Sequence, residues 1–183
     1  MTQADWQRAL VKEQARAAEL FGRPEAEQKH LGYFHTLHEI CQQPWTWLRT
    51  CERMIASRDE LRGDLQGIQS LALTGSGSSE YAAECVRSPL QNELAIPTES
   101  FSGGALLMYG AKALPPGRPG LLVSVARSGD SPESSGVVEL LLGTEPQIRH
   151  IVVTCNEQGR LAKAAHGTKN ARVITLPSEP PLS

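Results

Sequence analysis

The stretch LALTGSGSSEYAAE (residues 71–84) passes from an apolar run, through glycine and serine, into a segment of helical composition. A short apolar run that stops at a glycine reads as a buried strand. The residues from Ser78 onward read as the helix that follows it. A strand feeding a helix through a Gly-Ser turn is the opening unit of a parallel α/β sheet.

The sequence downstream repeats that unit. Strands are expected at 69–74, 94–98, 120–126, 149–154 and 171–176, with helices at about 78–92, 103–111, 131–143 and 157–166. Alternation of this kind predicts an α/β fold with a five-stranded, doubly wound parallel sheet. Runs such as GLLVSVA and HIVVT suit strands covered on both faces. Pro97 pushes the second strand towards an edge, because proline cannot donate to the ladder. The sequence upstream is helical. Residues 3–21 carry Trp6, Leu10, Ala17 and Phe21 at roughly helical spacing, and Gly22 closes the helix. Pro24 is expected to open a second helix through about residue 42. Pro44 is expected to start a third through about residue 61, with Trp47, Leu48, Cys51, Met54 and Ile55 buried. The expected organisation is a helical region over 1–62, a sheet domain over 63–177, and a tail or truncated linker over 178–183.

A length of 183 residues suits one α/β domain with extra helices. A net charge of -2 argues against a broad nucleic-acid or anionic-membrane surface. The apolar runs are far shorter than a membrane span. The N-terminal residues MTQADWQRALVK are polar, unlike the apolar core of a secretory signal. Cys41, Cys51, Cys85 and Cys155 have no Cys-x-x-Cys spacing, which suits a reducing cytoplasm and gives no zinc pattern. No metal and no cofactor are expected.

Ligands of open parallel sheets bind beyond the carboxyl ends of the strands, where strand order reverses. In the flavodoxin-like order 2-1-3-4-5 that crevice lies between strands one and three. Here the loops after those strands are TGSGSSE (74–80) and ARSGDSPES (126–134). Both open a helix, whose first amides are unpaired and carry partial positive charge. Glycines let backbone approach an anion, and serine hydroxyls can donate to it. Ser131 is a good N-cap, Pro132 fits the first helical position, and Arg127 adds a formal charge. Two such loops facing each other could hold one phosphate. Ordinary capping explains either loop alone, but explains their joint placement less well. A P-loop is a poor fit, because no lysine follows the glycines. A dinucleotide fingerprint keeps Gly75, Gly77 and the acid Glu99, but puts Glu80 at its third glycine. That reading stays open as a weaker alternative.

At these residues the sequence resembles the SIS (sugar isomerase) domain family. GSGSSEY and VARSGDSPES match its two phosphosugar loops, with Ala126 where many members have serine. Within the family, VARSGDSPESSGVVEL looks most like the AgaS-type tagatose-6-phosphate ketose/aldose isomerases, a group that includes galactosamine-6-phosphate deaminating isomerases. The resemblance covers about residues 45–176. It implies a three-layer αβα sandwich that binds the phosphate of a phosphorylated sugar or amino sugar. The implied site is Gly77, Ser78 and Ser79 on the first loop and Arg127, Ser128, Gly129, Asp130 and Ser131 on the second, with Ser79, Ser128 and Ser131 as the main hydroxyls.

Aldose–ketose isomerisation needs a base to move a proton between C1 and C2, a ring-opening group, and stabilisation of the enediolate. Glu99, expected in a carboxyl-end loop, is the candidate base. Glu80 and Glu133 read as first-turn helix residues. Members of the resembled group usually carry two SIS domains in one chain, and this sequence ends where the first would end. A truncated or split protein is therefore expected, partnered by a second SIS domain or by another copy in a homo-oligomer. Two functions stay open: a sugar-phosphate isomerase, with or without deamination, and a non-catalytic phosphosugar-binding or regulatory module.

Overall fold

The computed structural model describes residues 3–114 and 119–178. The expected tail therefore lies outside the described residues from position 179 onward. The chain divides into two units, one ending at Ala56 and one starting at Ser57.

The first unit contains α1 (Gln3–Glu13), α2 (Ala15–Gly22), α3 (Glu25–His30) and α4 (Phe34–Ala56). The helix expected over 3–21 is interrupted at Gln14, whose backbone is extended. The helix expected from Pro24 to residue 42 breaks at Gly32, which adopts φ +77°. Pro44 does not start a helix but lies inside α4. Proline's φ is helical and its ring removes only one donor, so a long helix can tolerate it where a left-handed residue cannot be absorbed. The packing that α4 does make lies in its first half. The indole of Trp6 donates to the Cys41 carbonyl at 2.7 Å, His38 packs edge-on against Phe21, and Gln42 is buried. Of the residues expected to be buried further along the helix, Trp47, Leu48, Cys51 and Ile55 are exposed, Trp47 and Ile55 at 66% each, and only Met54 is half-buried.

The second unit contains α5 (Arg58–Leu65), β1 (Ser70–Gly75), α6 (Ser78–Leu94), β2 (Thr98–Ser102), α7 (Gly103–Tyr109), β3 (Gly120–Ala126), α8 (Pro132–Thr144), β4 (Ile148–Thr154), α9 (Arg160–Ala165) and β5 (Ala171–Thr175). All neighbouring strands are parallel, in the order β2-β1-β3-β4-β5. This is the expected doubly wound sheet. Alternate residues of each strand face α7, α8 and α9: Ala72 and Leu122 pack with Leu106, Val137 and Leu141, and Val152 with Val138, Leu161 and Ala165. The other face meets α6 beside β1 and β2. Towards β4 and β5 it meets α5, where Arg172 pairs with Asp64 and Glu60 and Arg149 donates to the Gly63 and Gln66 carbonyls. The result is three layers, αβα. No helix among the described residues is long and apolar enough to cross a membrane.

One strand is displaced from its expected place. Residues 94–98 were expected to form the second strand, but β2 runs over Thr98–Ser102. The helix α6 continues through Pro89 to Leu94 and is capped by Ala95 in a left-handed conformation, φ 54°. Leu94 is thus the last residue of a helix, and Ala95 and Ile96 lead out of it. Pro97 sits just before β2, where its carbonyl accepts from the Leu71 amide at 2.9 Å and its missing donor is not needed. The strand is an edge strand, as Pro97 suggested.

His150 is inside β4 and only 2% exposed. Among the described residues neither ring nitrogen has a partner. Burial pushes its pKa from the usual 6.5 down to about 4. Between those values the unfolded chain binds a proton that the folded chain does not. Stability should therefore fall as pH is lowered from about 6.5 towards about 4, by up to about 1.4 kcal/mol per pH unit. Urea unfolding at several pH values should show this loss, and His150→Leu should flatten it. The same pH slope in both proteins would contradict a buried neutral imidazole.

Candidate functional site

The parallel pairing of β1 with β3 sets the two Gly-Ser loops side by side. They line a cleft of about 160 Å³ formed by Ser76, Ser78, Ser79, Val125, Ala126, Arg127, Ser128, Gly129, Ser131 and Ser134.

The first loop is shaped by a close approach. A Cβ on Gly75 would lie 2.6 Å from the carbonyl carbon of Ser79 and 2.8 Å from the Glu80 nitrogen. Only glycine lets the end of β1 touch the first turn of α6. Gly77 caps that helix at φ 60°. The Glu80 amide donates to the Gly77 carbonyl at 3.1 Å, and the Ser79 amide to the Ser76 carbonyl at 3.4 Å. The Ser78 amide, at the first helical position, has no acceptor within its own helix.

The second loop is braced from the far side of the sheet. The Arg127 carbonyl accepts from the Cys155 amide at 3.1 Å and the Thr154 hydroxyl at 3.2 Å. The Gly129 carbonyl accepts from the Leu161 amide at 2.8 Å. Asp130 accepts from the Arg160 amide at 3.2 Å, at the start of α9. Its carboxylate therefore holds the loop to α9 and does not line the cleft. Gly77 also lies outside the lining, where it serves as the cap of α6.

Serine hydroxyls tie the two loops together. Ser131 donates to Ser134 at 2.7 Å, and Ser134 lies 3.2 Å from Ser76. Ser131 also reaches Ser76 at 3.5 Å. Ser131 occupies the N-cap position of α8 with Pro132 at its first turn, as expected, but its side chain caps no amide. Its hydroxyl goes into the serine cluster instead. Ser76 is backed by the start of α7, because a Cβ on Gly103 would lie 2.9 Å from its Oγ. The Ser76–Ser134 link is the feature the residue patterns did not single out. Its signal is the spacing of Ser134 three residues after the cap Ser131, which turns its side chain back towards the cap.

Among the described residues Arg127 is the only charged side chain in the lining. Burial raises the pKa of the Cys155 thiol, and the positive charge of Arg127 opposes that rise. Glu99 is not brought to the cleft. It is an exposed second residue of β2, opposite Ala72, because the strand starts later than expected. The dinucleotide alternative thereby loses the carboxyl-end acid it needed.

An open parallel sheet of this order, with two helix-opening loops meeting at its switch point, defines a doubly wound α/β domain whose cleft lies beyond the carboxyl ends of β1 and β3. The chain is a domain of the SIS fold, homologous to the AgaS-type proteins. The AgaS protein of Streptomyces coelicolor is 36% identical over 154 residues, which is 79% of this chain and 39% of that protein. The D-galactosamine-6-phosphate deaminase AgaS of Escherichia coli is 33% identical over 154 residues, again 79% of this chain and 39% of that protein. The crystal structure of tagatose-6-phosphate ketose/aldose isomerase from Escherichia coli superposes with a TM-score of 0.72 at 32% identity, covering 79% of this chain and 41% of that one. The chain thus spans about two-fifths of the length of the curated relatives it matches. No protein-family model matches it.

Two substitutions separate the roles of these residues. Gly75→Ala should destabilise the chain by about 1–3 kcal/mol, because backbone must move to admit the methyl group. An unchanged urea midpoint would show that the contact is not tight. Asp130→Ala should lower stability by about 1 kcal/mol through the lost α9 contact while leaving anion affinity nearly unchanged. A large loss of affinity without loss of stability would instead put Asp130 on the ligand.

Proposed function

We propose that the cleft binds the phosphate of a phosphorylated sugar or amino sugar, and that the chain is the phosphosugar-binding domain of a sugar-phosphate isomerase or deaminase. The observation that carries this reading is the convergence of two helix-opening loops on one small cleft, rich in serine hydroxyls and with Arg127 as its only charged lining side chain. Hydroxyl donors, first-turn amides and one guanidinium suit a phosphate monoester. The names of the relatives add the sugar: one is a D-galactosamine-6-phosphate deaminase, and the similar structure is a tagatose-6-phosphate ketose/aldose isomerase.

In this reading Ser79, Ser128 and Ser131 donate to phosphate oxygens. Ser78 and the loop amides from Gly77 and Gly129 add donors, Arg127 supplies charge, and Asp130 steadies the second loop. The chemistry of isomerisation lies elsewhere. It needs a base at C1 and C2, and the lining contains neither carboxylate nor imidazole. Glu99 lies on the edge strand, outside the cleft. The acid–base groups come from a second SIS domain or from another subunit, so the isolated chain binds without turning substrate over.

The test is calorimetric titration of the chain with galactosamine 6-phosphate, tagatose 6-phosphate and NAD, with ammonia and ketose assays on the same samples. Sugar-phosphate binding without turnover is expected. Turnover by this chain alone would show that it carries its own base, and binding of NAD alone would overturn the phosphosugar reading. The double variant Ser79→Ala with Ser128→Ala should lose about tenfold or more in affinity at little cost in stability. Unchanged affinity would remove these serines from the site.

A further inference from the structure

We propose that Thr74 and Ser124, buried directly beneath the cleft, are positioning residues that hold its serine hydroxyls turned towards a bound phosphate. The proposal rests on the phosphosugar reading of the cleft. Thr74 and Ser124 lie opposite each other where β1 pairs with β3. Both are only 2% exposed. Among the described residues neither hydroxyl has a hydrogen-bond partner. A buried hydroxyl left unpaired costs about 1–3 kcal/mol, which valine or alanine in the same place would not.

The place of the pair says what the hydroxyls serve. Alternate residues of a strand share a face. Two residues back, Ala72 and Leu122 pack under α7 and α8 with Leu106 and Val137. Two residues on, the chain reaches Ser76 and Ala126, both in the cleft lining. The pair therefore sits between the apolar core and the serine cluster.

The cluster is short of protons for a ligand. Ser131 spends its proton on Ser134, and the Ser76–Ser134 bond takes another. Turning more of these hydroxyls onto an anion leaves their oxygens in need of donors from behind. Thr74 and Ser124 are the buried donors on that side. Thr74 and Ser124, unpaired among the described residues, act from behind on Ser76 and Ser134 and favour the arrangement in which the cluster donates to phosphate.

The test is calorimetric titration of the full chain with galactosamine 6-phosphate. Thr74→Val should weaken binding about tenfold, and Thr74→Ser should restore it to within about twofold. Ser124→Ala should weaken binding similarly, and carries the test if the valine variant does not fold. The urea midpoint of each should stay or rise, since each removes an unpaired buried hydroxyl. In a Ser76→Ala background, Thr74→Val should change affinity little further, because it acts through Ser76. Unchanged affinity in Thr74→Val and Ser124→Ala would overturn the proposal while leaving the cleft assignment intact. Fully additive losses with Ser76→Ala would also overturn it. Failure of the unsubstituted chain to bind the monoester would overturn the cleft reading, and this proposal with it.

Discussion

Everything in the site depends on the end of the ladder between β1 and β3. Thr74 opposite Ser124 is the last pair of that ladder before the strands open into loops. The two loops are about fifty residues apart in sequence, and this parallel pairing puts them side by side. It does so because β2 folds back to the outside of β1, which leaves the inner flank of β1 to β3. Had β2 inserted between them, the same two Gly-Ser loops would be separated by a strand and could not share a ligand.

Close contacts turn that adjacency into a fixed geometry. Gly75 lets α6 start against the end of β1, and the Arg127, Gly129 and Asp130 contacts tie the second loop to β4 and α9. The hydroxyls of Ser76, Ser131 and Ser134 then join the loops across the gap. Backbone placed by strand pairing carries donors whose directions are set by a few hydroxyls. Such an arrangement suits the proposed phosphate, because phosphate presents oxygen acceptors in every direction.

Much of this was legible in the sequence, and the failures have physical reasons. β1, β3, β4 and β5 stood out because strands covered on both faces are continuous apolar runs bounded by polar turns. β2 did not, because TESFS is a polar edge strand and the apolar LAI before it belongs to a helix end. Pro44 misled as a helix start, since it sits inside a long helix that absorbs one lost hydrogen bond. The later part of α4 stayed exposed although Leu48 and Ile55 share the face of packed Cys41, because helical spacing shows which residues share a face and not how much of it is covered. At the cleft, loop composition and helix starts pointed to residues that the fold brings together: Ser78, Ser79, Arg127, Ser128, Gly129 and Ser131. Glu99 was misplaced with its strand. Asp130 matched a family pattern, but its contact with Arg160 depends on where α9 begins, which loop composition does not reveal. Ser134 and the buried pair Thr74 and Ser124 were missed because a serine in a first turn, or a threonine in a strand, is unremarkable until the fold puts them together.

The central claim is that two distant loops form one phosphate site. Amide ¹H–¹⁵N spectra of the chain, recorded while inorganic phosphate is titrated in, test it most directly. The account predicts that the amides of Ser78 and Ser79 on one loop, and of Ser128, Gly129 and Ser131 on the other, shift together along a single binding curve. Shifts confined to one loop, or two curves with different midpoints, would contradict it.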